Sequence, residues 1–139
     1  MTEEYIDIAV AGLHLSGQPL NHQLVALGAF LKKATCTSAH YHMYLIEDKK
    51  GMKPGLIRVP YDQEGFKYEV EIWQVPKKNL GYFLAEIPAP LGLGKVNIED
   101  GTTVTGFICE PRVLMEGKDI SKFSGWKAYL SYLSEMKSN

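Results

Sequence analysis

The stretch Ile6-Asp7-Ile8-Ala9-Val10-Ala11-Gly12-Leu13-His14-Leu15-Ser16-Gly17-Gln18-Pro19-Leu20-Asn21 sets the reading of the whole chain. Its opening run to Gly12 is β-branched, mostly apolar and closed by glycine, which predicts a buried strand. A polar loop follows. From Asn21, Leu24, Leu27, Phe30 and Leu31 recur at helical spacing as far as Lys33, so a helix is expected over residues 21–33, with Asn21 as its N-cap.

A strand that turns into a helix N-terminus leaves backbone N–H groups without intrahelical partners, at the positive end of the helix dipole. The loop over residues 12–21 is therefore the first candidate for a site, and an anion is its natural ligand. Gly12 and Gly17 permit a tight turn and close approach of a ligand, while His14, Ser16, Gln18 and Asn21 supply titratable and hydrogen-bonding groups. The spacing fits neither the dinucleotide fingerprint nor the P-loop. A simple polar turn is the alternative reading.

Working outward, residues 35–46 alternate and are rich in Thr and Tyr, so they read as a second strand. It carries Tyr41, Met43 and Leu45 on one face and His42, Tyr44 and Ile46 on the other. A polar turn is expected at 47–54, a short strand at 55–59, a second turn at 61–65 and a cleanly alternating strand at 66–75. Pro76 then suits the start of a helix, paced by Leu80, Phe83, Leu84 and Ile87 and stopped by Pro88. Segments 95–99 and 102–110 flank Asp100-Gly101, the strongest hairpin signal present. Trp126, Tyr129, Leu130 and Leu133 make an amphipathic C-terminal helix with Ser124 as the expected cap. The order β, α, β, β, β, α, β, β, α predicts an α+β fold, a small mixed barrel or curled sheet with flanking helices.

With 139 residues and 45% apolar content, the chain suits one domain spanning residues 1–139. Fifteen basic residues balance sixteen acidic ones, for a net charge of −1. There is no like-charge stripe for nucleic acid. No apolar run approaches the roughly 20 residues of a membrane span, and the start, Met1-Thr2-Glu3-Glu4, is acidic, so a cytoplasmic protein without membrane contact is expected. Cys36 and Cys109 lack metal-site spacing and read as buried free thiols.

Other residues could carry chemistry. Glu69 and Glu71 share a strand face roughly 7 Å apart, near enough for paired acid/base work. Trp73 lies on the same face, which suggests that the face is partly covered. His40 and His42 also share a face, but no third ligand presents itself, so no metal is expected. Arg58 sits among apolar residues and could clamp a carboxylate or form a structural ion pair. No serine elbow or base-activated cysteine is evident.

Taken together, GLHLSGQPLNHQL (12–24), KPGLIRV (53–59), EVEIW (69–73), IPAPLGLG (87–94), TGFICEP (105–111) and DISKFSGWKAYL (119–130) resemble the C-terminal domain of allophanate hydrolase. In that family the domain usually follows an amidase domain with a Ser-Ser-Lys catalytic set, of which this chain has no trace, so a free-standing version is expected. The resemblance implies a γ-glutamylcyclotransferase-like fold and a reaction in which N-carboxycarbamate, made by the amidase, loses carbon dioxide. Two carboxylates on one nitrogen call for anion donors and for an acid that protonates nitrogen. Backbone amides around Gly12, Leu13, Leu15, Ser16 and Gly17, with Asn21, are expected to hold one carboxylate. His14 is expected to give the proton or polarise the substrate, and Arg58 to pair the second carboxylate. Tyr41, Glu71 and Pro90 complete the expected binding set, and no cofactor is expected.

Two other functions fit the resemblance. One is a non-catalytic assembly domain, a homodimer or a docking element for a separately encoded amidase, using the C-terminal helix and a sheet edge. The other is γ-glutamylcyclotransferase activity. Those enzymes use a Tyr-Gly-Ser loop, where this chain has Gly12-Leu13-His14-Leu15, and a glutamate near a helix end, where Glu86 stands in a shifted register.

Overall fold

The computed structural model describes residues 2–138. Strand β1 (Tyr5–Val10) leads through the loop at 12–21 into a short helix α1 (Asn21–Ala26), and then come β2 (Phe30–Cys36), β3 (Tyr41–Asp48), β4 (Gly51–Arg58) and β5 (Glu69–Pro76). A 3-10 turn (Lys77–Asn79) precedes α2 (Leu80–Ala85), and the hairpin β6 (Leu91–Asn97) and β7 (Thr103–Cys109) follows. The chain closes with α3 (Val113–Glu116), β8 (Lys118–Asp119) and α4 (Trp126–Ser138).

The strands form two sheets, one of five strands in the order β2-β5-β1-β7-β6 and one of three in the order β4-β3-β8. The fold is mixed α+β, as expected, but the sheets do not join into a closed barrel. In the larger sheet β1 runs antiparallel to β5 and parallel to β7, which places the end of β1 at its centre. The loop that leaves β1 is thus anchored in the central strand of that sheet. The core beneath it includes Ile8, Val10, Leu24, Phe83 and Trp126, all at 2% exposure or less.

Several boundaries differ from expectation, each for a local reason. The first helix stops at Ala26 because Gly28 adopts φ +84°, and its amide and that of Ala29 bond the carbonyls of Val25 and Leu24 at 3.0 Å. This is a Schellman closure. Phe30 and Leu31 continue the helical rhythm by chance, for they lie on edge strand β2 at 47% and 44% exposure, with Phe30 edge-on to Tyr5. Asn21 is the first helical residue rather than the cap, which is Leu20.

The strand expected at 35–46 is split between β2 and β3, because Thr37 is buried and its amide bonds the carbonyl of Tyr68. The turn expected at 47–54 shrinks to the bend between Asp48 and Gly51, the latter at φ +130°. Pro54 is tolerated within β4 because β4 is a sheet edge, where a missing N–H breaks no ladder. The hairpin at Asp100-Gly101 forms as expected, with Asp100 Oδ1 accepting the Thr102 amide at 2.9 Å. The C-terminal helix forms too, but the Ser124 hydroxyl reaches Glu69 at 3.4 Å, and the carbonyl of Gly125 accepts the first helical bond, from Tyr129. Helix α3 and strand β8 had no clear sequence signal.

Candidate functional site

A cavity of about 430 Å³ opens where the loop after β1 faces β4 and the segment between α2 and β6. Its walls are mainly apolar, with Leu13, Leu20, Met52, Leu56 and Phe107 among them. The polar lining comes from His14, Asp48, Lys50, Lys53 and Glu86. This is the size range of small-molecule sites. Gly12 makes the close approach possible, because a Cβ there would lie 2.5 Å from Cδ and Cγ of the Pro54 ring. The loop and β4 therefore meet at one wall.

The loop holds its shape through its own backbone. The amide of Leu15 bonds the carbonyl of Gly12, Gln18 bonds Leu15, and Leu20 bonds Leu13, at 2.8–3.0 Å. Its second anchor is Glu71 on β5, buried, whose Oε1 accepts the Ser16 amide at 2.8 Å, the Ser16 hydroxyl at 3.0 Å and the Trp73 indole N–H at 3.1 Å. Three donors on one carboxylate oxygen make a charge-assisted clasp between loop and sheet. Asn21 closes the loop from the other end by donating its amide to the carbonyl of His14 at 2.8 Å.

His14 is buried at 9% exposure, stacked 5.2 Å from the Phe107 ring and edge-on to Phe83 at 5.1 Å. Its Nε2 lies 2.8 Å from Gln23 Oε1, which only accepts, so Nε2 carries the proton and Nδ1 keeps a lone pair. Burial between the rings holds the His14 pKa below its ordinary value, and the Gln23 bond opposes that only partly. The ring is therefore neutral near pH 7, ready to accept a hydrogen bond or a proton when negative charge arrives beside it.

Comparison with known proteins fits this arrangement. The family model described as the allophanate hydrolase C-terminal domain matches residues 6–131. The chain belongs to the allophanate hydrolase C-terminal domain family. It is 39% identical over 137 residues to the urea amidolyase of Saccharomyces cerevisiae, covering 96% of this chain and 7% of that protein. The chain thus spans 7% of the length of the curated relatives it matches. An allophanate hydrolase structure from Kluyveromyces lactis superposes with a TM-score of 0.88 at 38% identity, over 94% of this chain and 22% of that one. A uropathogenic Escherichia coli-specific protein superposes at 0.83 and 31% identity, over 94% of this chain and 98% of that one. A γ-glutamyl cyclotransferase shares the fold at a TM-score of 0.55 and 12% identity, over 84% of this chain and 70% of that one.

Within this allophanate hydrolase C-terminal domain, the residues singled out from sequence separate into three groups. Gly12, Leu13 and His14 line the cavity. Leu15, Ser16, Gly17 and Asn21 shape the loop: Leu15 is buried in the core, Ser16 is tied to Glu71, Gly17 turns the chain at φ +79° and Asn21 is tied to His14. The Ser16 amide is therefore spent on Glu71 and the Leu15 amide on Gly12, which leaves fewer loop amides for an anion than expected. Tyr41, Arg58 and Pro90 do not line the cavity. Tyr41 is buried with its hydroxyl accepting the Asn97 amide, Arg58 is exposed at the end of β4 opposite Tyr41, and Pro90 is buried beside the lining residue Leu91.

The carboxylates Glu69 and Glu71 do not work as a pair: Glu71 is clasped by Ser16 and Trp73, whereas Glu69 is exposed next to Ser124. The shared face of Glu71 and Trp73 does form as expected. His42 Nε2 sits 2.6 Å from the carbonyl of Glu64, and His40 lies edge-on to Tyr61. Both cysteines are free and half-buried, and burial pushes the Cys109 thiol up to about 11. Sequence reasoning missed Lys53, Asp48 and Gln23, whereas Glu86, considered only for γ-glutamylcyclotransferase activity, does line the cavity. Lys53 lies in the same segment, KPGLIRV, in which Arg58 is the more conspicuous cation because it stands among apolar residues.

Proposed function

We propose that the cavity at the loop binds a small carboxylate or amide metabolite and promotes decarboxylation of N-carboxycarbamate, the product an amidase makes from allophanate in urea degradation. The observation that carries this reading is the buried His14 on the cavity wall, its Nε2 2.8 Å from Gln23 Oε1. In the reaction the bond between nitrogen and one carboxylate carbon breaks, its electron pair stays on nitrogen, carbon dioxide leaves, and a proton is added to give carbamate. The substrate is a dianion, so its arrival beside His14 favours the imidazolium. His14 then takes up a proton at Nδ1 and delivers it to nitrogen as charge develops there. Burial alone disfavours the imidazolium, but the low dielectric between the apolar walls strengthens its attraction to the dianion.

The relatives that carry this domain within longer urea amidolyase and allophanate hydrolase chains support an amidase as the supplier of substrate. The test is carbon dioxide release from N-carboxycarbamate generated in situ by an amidase, with and without this chain. Acceleration over the spontaneous rate supports the proposal. An unchanged rate with the folded chain in excess removes it and favours a purely assembling role.

A further inference from the structure

We infer that Lys53, not Arg58, is the cation that grips the ligand's carboxylate, and that Asp48 holds its ammonium until that carboxylate replaces it. The inference rests on the reading of the cavity as a carboxylate site, and it names the group that gives the site its affinity.

Lys53 lines the cavity and is 7% exposed, whereas Arg58 is exposed and outside the lining. Burial of a lysine is unusual, and it costs stability unless the ammonium is well partnered. The ion pair described for Lys53 is with Asp48, Nζ to Oδ2 at 3.2 Å, and the Asp48 side chain is 39% exposed. An ammonium has three N–H donors, so a single carboxylate oxygen leaves capacity for a second acceptor. Asp48 is itself fixed, because its Oδ1 accepts the Lys50 amide at 2.8 Å. Those two bonds, first the Lys50 amide and then Lys53, hold the Asp48 carboxyl below the usual carboxylate range.

Geometry connects this pair to the catalytic loop. Lys53 precedes Pro54, the residue against which Gly12 packs, so the ammonium-bearing strand and the His14 loop are neighbours. A ligand with two carboxylates on one short linker suits such a place, one end at Lys53 and the other towards His14. The remaining charges in the lining weigh against an unassisted anion, since Asp48 and Glu86 oppose the exposed Lys50. Without Lys53 the cavity would repel a dianion. An ammonium in low dielectric attracts a carboxylate far more strongly than a solvated guanidinium does.

Malonate tests this in the full chain, because its CH2 replaces the N–H of N-carboxycarbamate and leaves both carboxylates in place. Calorimetric titration should give binding that weakens by about tenfold or more in Lys53→Met, the scale of a lost hydrogen bond to a charged group. Arg58→Gln should bind as the unmodified chain does. Asp48→Asn removes the competing carboxylate while leaving Lys53 charged, and should bind malonate several-fold more tightly; it is the decisive variant if Lys53→Met fails to fold. Equal binding by folded Lys53→Met, lost binding in Arg58→Gln, no tightening in Asp48→Asn, or no binding by the unmodified chain would each overturn the inference. Lys53-dependent malonate binding without faster carbon dioxide release would remove the decarboxylation reading and leave the role of Lys53 intact.

Discussion

A chain carrying His14→Ala should release carbon dioxide from N-carboxycarbamate no faster than the spontaneous reaction does. The expected loss is about 100-fold or more of the catalysed rate, the usual contribution of a positioned acid or base. Alanine also removes the ring that Phe83 and Phe107 enclose, so a lost fold could mimic a lost proton. His14→Gln separates the two. Glutamine fills much of the space and makes hydrogen bonds but does not titrate near neutrality, so the account expects a folded chain, measurable malonate binding and the same loss of rate. Full activity in His14→Gln would show that no proton passes through this position.

The second large effect is on stability. Glu71→Ala leaves the Ser16 amide and the Trp73 indole N–H without the acceptor they share and leaves empty the space of the glutamate side chain. An unsatisfied buried donor costs about 1–3 kcal/mol, so the two together predict a loss of about 3 kcal/mol. For a domain of this size that corresponds to a melting temperature lower by roughly 10 °C. Glu71→Gln keeps a carbonyl oxygen for the donors and should lose clearly less. Thermal unfolding followed by circular dichroism checks the order; equal losses in the two variants would mean that the clasp is not what holds the loop to the sheet.

Much of this design was legible in sequence wherever one short segment decides one feature. The buried strand and its loop, the Asp100-Gly101 hairpin and the C-terminal helix are local in this sense. The first helix misled because Phe30 and Leu31 satisfy its rhythm, while Gly28 ends it through backbone conformation, a stronger constraint than periodicity. Trp73, two residues away, marks the cover over Glu71, yet the other partner, Ser16, lies 55 residues off in sequence and has no local mark. The same holds for Lys53. Only the packing of Pro54 on Gly12 shows that this lysine, and not the more conspicuous Arg58, stands beside the loop.

The separation of roles follows from that packing. Glu71 and Asn21 shape the loop, Gln23 sets the tautomer of His14, and Lys53 with Asp48 supplies a replaceable ion pair. A ring kept neutral by burial is a useful acid only if the ligand itself brings the charge that protonates it. Nitrogen-15 spectra of the His14 ring at pH 7, recorded before and after saturation with malonate, therefore test the account most directly. The account predicts a neutral ring protonated at Nε2 in the free chain and an imidazolium in the complex. A His14 ring that stays neutral and unshifted at saturating malonate would contradict it.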